Sequence, residues 1–236
     1  MLNVSTIARR CNFLLCTLLL SAAVASAAPA VTRHYLRPGL PDPALLLAPP
    51  PLPGSSEQAA DLASVVSVHR EFGTNSSSVA MSEKKYSVFN FTGVIGGWFE
   101  PVKLPKSEAF FERVQGDAAI VLERAKAFWQ RPRPYTVEPS LAAGKLEKSF
   151  SYPSGHSTQA AVLALVLAEV FPAQRDAILD TGYALGWHRV QLGRHYPTDI
   201  YAGRVLAQAL VQEMRSNQDF QRDLAEIKNE IAAARP

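Results

Sequence analysis

The chain has 236 residues, 47% hydrophobic and 19% charged, with 24 Lys+Arg against 21 Asp+Glu and a formal net charge of +3. That composition excludes a disordered or collagen-like polymer, and the charge is too small for nucleic-acid binding through bulk attraction. The length suits one domain, or two small ones at most.

Residues 1–27 read as a secretory signal. Arg9 and Arg10 supply a basic start, residues 13–20 an apolar core broken only by Thr17, and Ala25, Ser26 and Ala27 the small residues that precede cleavage. A membrane anchor fits less well, because the apolar core is short and the cleavage pattern follows at once. Both cysteines, Cys11 and Cys16, fall in this stretch, so the remainder is expected to hold no disulfide and no thiolate metal site. A periplasmic or secreted location follows, with the mature chain starting at Ala28. The longest later apolar run, residues 160–168, stops at Glu169, well short of the ~20 residues a membrane span needs.

Residues 28–56 form a proline-rich segment, with Pro38, Pro41, Pro43, Pro49, Pro50, Pro51 and Pro53. Proline at that density favours extended geometry and builds no core of its own. An arm lying over the domain surface is expected, with a mobile linker as the competing reading. Such an arm is also a candidate bridge between subunits of a homo-oligomer.

From residue 57 to residue 236 the pattern is helical. Leu62, Val65, Val66, His69 and Phe72 recur at 3.6-residue spacing. A segment around residues 86–91 leads to Gly93, Gly96 and Gly97. Residues 93–105, with Trp98 and Phe99, read either as a substrate entrance or as a packed connection. Ser107 is expected to cap a long helix carrying Phe110, Phe111, Val114, Ala118, Val121, Leu122, Ala125 and Trp129. Further helices are predicted over 155–171, 173–187, 197–215 and 218–234, the last with Phe220, Leu224, Ile227 and Ile231 on one stripe. No stretch alternates with period two. The predicted fold is all-α, a single helical-bundle domain.

Three local sequences carry chemistry. Lys126 lies near a helix end, and Arg131 and Arg133 each precede a proline, which pushes them out of the helical region. The helix should therefore stop by about Gln130, leaving Arg133 on a stiff extended segment suited to gripping an anion. Ser154 is a natural N-cap, and Gly155 lets a ligand approach the free amides of the following helix. His195 and Asp199 are four apart with Pro197 between them, so the carboxylate can fix one ring nitrogen and leave the other free to attack. Singly, each has an ordinary explanation: solvated helix ends, a capped helix start, a structural His–Asp hydrogen bond. Together, cations, a helix N-terminus and two histidines are the parts of phosphoryl transfer through a phosphohistidine.

The three segments resemble the tripartite pattern Lys-x6-Arg-Pro, Pro-Ser-Gly-His and Ser-Arg-x5-His-x3-Asp of the type 2 phosphatidic-acid phosphatase superfamily. With the leader and the size, the chain is most similar to its soluble branch, the class A bacterial nonspecific acid phosphatases. The resemblance implies that Lys126, Arg133 and Arg189 hold phosphate oxygens with Ser154 and Gly155. It further implies that His195 is the nucleophile, oriented by Asp199, and that His156 protonates the leaving oxygen and then activates water. The family's serine before the arginine is His188 here, a possible additional contact to phosphate. Small phosphomonoesters are the expected substrates, with no cofactor, no metal and no nucleic-acid partner. A bell-shaped pH profile on the acid side is expected. Two other readings stand beside this one: a vanadate-dependent haloperoxidase-like enzyme, and a helical protein that binds phosphate or phospholipid head groups without turnover.

Overall fold

The computed structural model describes residues 32–72 and 86–236, so the signal-like stretch 1–27 lies outside the described residues. Among them are six long helices and no strand: α1 (Ser56–Phe72), α2 (Pro105–Trp129), α3 (Gly155–Val170), α4 (Arg175–Gln191), α5 (Pro197–Arg215) and α6 (Gln218–Ala234). The expected all-α fold is the observed one. No described helix is long and apolar enough to cross a membrane.

Helix α3 occupies the centre. It is apolar on every side, as a helix surrounded by others must be, and it packs against α2, α4 and α5. Two glycines allow the closest approaches. A Cβ on Gly182 of α4 would lie 2.5 Å from the Ala164 Cβ, and one on Gly203 of α5 would lie 2.9 Å from the Ser154 carbonyl oxygen. The first seats α4 on the middle of α3, and the second holds the first turn of α3 against α5, where the site is built.

Helix α2 buries Phe110, Phe111, Val114, Ala118, Val121, Leu122 and Ala125 in the main core, as its spacing predicts. Its start differs from expectation. Leu104 is the residue before the helix and Pro105 opens it, so Ser107 lies inside the first turn rather than capping it. The first amides are satisfied from elsewhere: the Glu230 carboxylate of α6 accepts from the Lys106 and Ser107 N–H groups at 2.8 and 2.7 Å. Proline at the first position has no N–H to satisfy, Glu230 serves the next two in place of a local cap, and the anion suits the positive helix end.

Helix α4 starts at Arg175 and runs a turn beyond the predicted limit of residue 187, to Gln191. His188 and Arg189 therefore sit in its last turn. Helix α1 covers the end of α4 and the start of α5 through a second cluster of Val65, Tyr135, Leu141, Val190, Tyr196 and Ile200. His69 Nδ1 meets the Gln191 carbonyl oxygen at 2.7 Å, a structural use, while Phe72 at the end of the stripe is exposed.

The proline-rich segment carries core residues of its own, with Tyr35, Leu36 and Leu47 buried in the main cluster. Asp117 of α2 accepts from the backbone N–H groups of His34, Tyr35 and Leu36 at 2.9, 2.7 and 3.0 Å. Of the two readings of residues 93–105, the packed connection is the one observed. Phe99 is fully buried, its ring edge-on to Phe171 at 5.8 Å between centroids.

Candidate active site

Helix α2 delivers the first cation. Lys126 sits in its last turn and the helix ends at Trp129, with Gln130 in the left-handed conformation at φ 45°. The Lys126 ammonium is buried and donates to the Phe150 carbonyl oxygen. Burial pushes its pKa down to about 8, and the nearby Arg133 adds to that effect. Beyond the helix the chain runs extended, and Arg133 has φ −78° and ψ 155°, as a residue before proline should.

The guanidinium of Arg133 is tied on three sides. It donates to the Ser149 carbonyl oxygen at 2.8 Å, to Ser149 Oγ at 2.9 Å and to the Arg194 carbonyl oxygen at 3.2 Å. Its Nη1 also meets His195 Nε2 at 3.1 Å. The other ring nitrogen, Nδ1, lies 3.2 Å from Asp199 Oδ2. His195 therefore bridges a carboxylate and a cation with its two nitrogens. Burial and the charges of Arg133, Lys126, Arg189 and His156 hold its pKa well below the usual histidine value, so the ring stays neutral.

Pro197 opens α5 as predicted, and Asp199 in the first turn accepts the Tyr196 N–H at 3.0 Å. The same carboxylate accepts from Ser151 Oγ at 2.5 Å and from Arg131 Nη1 at 2.7 Å. Ser154 caps α3, its hydroxyl accepting the Ser157 N–H at 3.3 Å. A Cβ on Gly155 would lie 4.0 Å from Lys126 Cε, so the start of α3 lies beside the lysine stem. His156 follows on α3, its ring edge-on to Tyr86 at 4.8 Å between centroids.

Arg189, from the last turn of α4, is buried and donates to Glu147. The fold thus gathers Lys126, Arg133, Arg189, His156, His195 and Asp199 from α2, its extension, α3, α4, the α4–α5 connection and α5. His188 precedes Arg189, half-buried, and its Nδ1 is buried without a hydrogen-bond partner among the described residues. Burial lowers its pKa. No group of three or more His, Cys, Asp or Glu among the described residues is placed to hold a metal ion.

Comparison with known proteins gives the family of this chain. The model of the PAP2 superfamily matches residues 116–221, which contain every residue just gathered. An acid phosphatase of Zymomonas mobilis is 30% identical to this chain, over 91% of this chain and 83% of that protein. The chain belongs to the PAP2 superfamily. A non-specific acid phosphatase of Providencia stuartii is 38% identical over 50% of this chain and 48% of that protein. A transmembrane PAP2-type phosphatidylglycerolphosphate phosphatase of Bacillus subtilis, 21% identical, shares the fold with a TM-score of 0.51, over 69% of this chain and 87% of that one.

Arg131, Asp61, Thr198, Ser151 and Glu147 belong to this candidate site without a role in the sequence reading. Arg131 is buried and, besides Asp199, reaches Asp61 Oδ2 of α1 at 2.7 Å, with its guanidinium 3.8 Å above the Tyr196 ring. Thr198 Oγ1 accepts from Arg131 and donates to Asp61, closing the group. Ser151 supports Asp199, and Glu147 meets the cations. The Arg–Pro pair at 131 signals an extended arginine as clearly as the pair at 133. Nothing in the sequence of α1 singles out Asp61.

Proposed function

We propose that this PAP2-superfamily chain is an exported acid phosphatase that hydrolyses small phosphomonoesters without a metal, through a phosphohistidine at His195. One observation carries the reading: the His195 ring is held between Asp199 at Nδ1, 3.2 Å away, and the Arg133 guanidinium at Nε2, 3.1 Å away. With Nδ1–H donated to the carboxylate, Nε2 keeps its lone pair and faces the cationic group.

Lys126, Arg133 and Arg189, with the N-terminal end of α3, gather the non-bridging oxygens of the phosphoryl group. The Nε2 lone pair attacks phosphorus as the ester P–O bond breaks, and His156 gives a proton to the departing oxygen. Water then attacks the phosphohistidine while His156 takes its proton. The P–N bond breaks, phosphate leaves and the imidazole is restored. Phosphoryl transfer asks mainly for positioning and charge, which this set supplies from side chains and backbone. Acid phosphatase relatives support the monoester substrate class, and the signal-like residues 1–27 support export.

The test is p-nitrophenyl phosphate hydrolysis in the presence of a chelator, followed by trapping of the labelled intermediate. Alkali-stable, acid-labile label on His195 is expected. His195→Ala should lower turnover by about 10³-fold or more while still binding inorganic phosphate. Hydrolysis unchanged in that variant overturns the mechanism.

A further inference from the structure

The cationic group already holds an anion, and it comes from the chain itself. Glu147 lies on the segment between Leu141 and Ser151, whose backbone also accepts from Tyr135 Oη at Glu147, from Arg133 at Ser149 and from Lys126 at Phe150. Its side chain accepts from Arg189, and its Oε2 stands 3.6 Å from Arg133 Nη1 and 3.9 Å from Arg194 Nη1. The same Arg133 nitrogen meets His195 Nε2 at 3.1 Å. The carboxylate and the ring nitrogen therefore share one guanidinium NH₂.

The fit is incomplete. Glu147 Oε2 is buried without a hydrogen-bond partner among the described residues, although two arginines stand around it. Asp199 also acts on Lys126, but it is paired with Arg131 at 2.7 Å. Glu147 is the carboxylate that faces the three arginines Arg133, Arg189 and Arg194. A phosphate dianion brings more charge and more oxygens in a compact tetrahedron, each able to accept from an N–H. It satisfies these donors better than a carboxylate on a three-carbon tether.

We infer that Glu147 occupies part of the phosphoryl position in the free protein, and that a phosphomonoester binds by displacing this carboxylate from Arg189 and Arg133. Glu147 thereby sets the affinity for phosphate, both for the substrate and for the inorganic product. The inference rests on the proposed function only in taking this cation group as the phosphate site. A carboxylate that must leave weakens every oxyanion by the same amount, so it lowers product inhibition along with substrate affinity.

The experiment uses inorganic phosphate as the probe, with binding measured by calorimetry on the full chain. Glu147→Gln should bind phosphate about tenfold more tightly, the size of one lost charge-assisted contact. Its melting temperature should fall in phosphate-free buffer and rise more than that of the unaltered protein when phosphate is added. Equal or weaker phosphate binding in the variant overturns the inference and makes Glu147 an organiser of the arginines. If the variant fails to fold, the unaltered protein decides by crystallography with bound phosphate. Glu147 withdrawn from Arg189 supports the proposal, and Glu147 still paired beside phosphate overturns it. None of these readouts needs turnover. A protein that hydrolyses no monoester but shows the tighter binding loses the proposed function and keeps this inference, and the opposite pair of results does the reverse.

Discussion

Arg131 Nη1 and Asp199 Oδ1 lie 2.7 Å apart, on side chains 4% and 0% exposed. The arginine is shared with Asp61, and it fixes the carboxylate that in turn orients His195. Buried charges of this kind are tolerated only while paired, because removing one partner leaves the others desolvated and uncompensated. Arg131→Ala should therefore cost about 3–5 kcal/mol in urea unfolding. Arg131→Lys should recover part of that loss, since an ammonium reaches one carboxylate more readily than two. A loss below about 1 kcal/mol in the alanine variant, the range of a surface pair, would show that the pairing is not needed.

In the proposed mechanism, the neutral state of His195 sets the acid side of the pH profile. Its pKa lies well below 6.5 through burial and the surrounding cations, so Nε2 keeps its lone pair as the medium turns acid. The acid limb of kcat/KM that belongs to the nucleophile should fall below pH 6.5. The unfolded chain takes up a proton near 6.5 that the folded chain refuses, so stability should decline as pH drops through that value. Activity against pH and thermal melts across the same range check both statements.

In the proposed site, Lys126 sets an alkaline limb of phosphate binding, apart from the protonation of His156 that turnover needs. With its pKa pushed down to about 8, the free protein loses this ammonium as pH rises through that value. Affinity for inorganic phosphate should weaken there, approaching about tenfold per pH unit, because binding then requires uptake of a proton. Lys126→Met should bind more weakly throughout and lack that limb. A limb that persists in the methionine variant would assign it to another group.

Gly203→Ala tests the seat of the first turn of α3. Alanine favours a helix by about 1 kcal/mol over glycine. Here the added methyl would meet the Ser154 carbonyl oxygen at 2.9 Å and the Ser157 Cβ at 3.0 Å, both on a packed helix. The clash should prevail, with a net loss of about 1–3 kcal/mol in denaturant unfolding. Turnover should fall too, as α3 moves away from Asp199. A gain in stability would mean that α3 and α5 separate freely.

Much of this architecture is legible in the residues, and the exceptions have physical reasons. Helix α6 and the stop of α2 at Trp129 follow from an apolar stripe and from two arginine–proline pairs. Ser107 misleads because its cap-like position is served by Glu230, more than a hundred residues away, and no local rule anticipates a carboxylate from another helix. The extra turn of α4 is stabilised by Val190 packing under α1, a tertiary gain that propensity does not contain. In the site, the spacing of His195 and Asp199 and the opening proline of α5 announce their pairing. Glu147 and Asp61 do not announce theirs, since each is one acidic residue among many until the chain folds around the cations.

The attachment of residues 34–36 to Asp117 recognises peptide N–H groups and no side chain. At His34, which is exposed, evolution or an engineer can rewrite the letter with little effect on that attachment, whereas Tyr35 and Leu36 are also held by the core. Proline is the exception at each of the three positions, because it alone removes the donor. At 117 the freedom disappears: asparagine keeps the shape but loses one acceptor oxygen and the charge, so drift is permitted on one side of the latch and forbidden on the other.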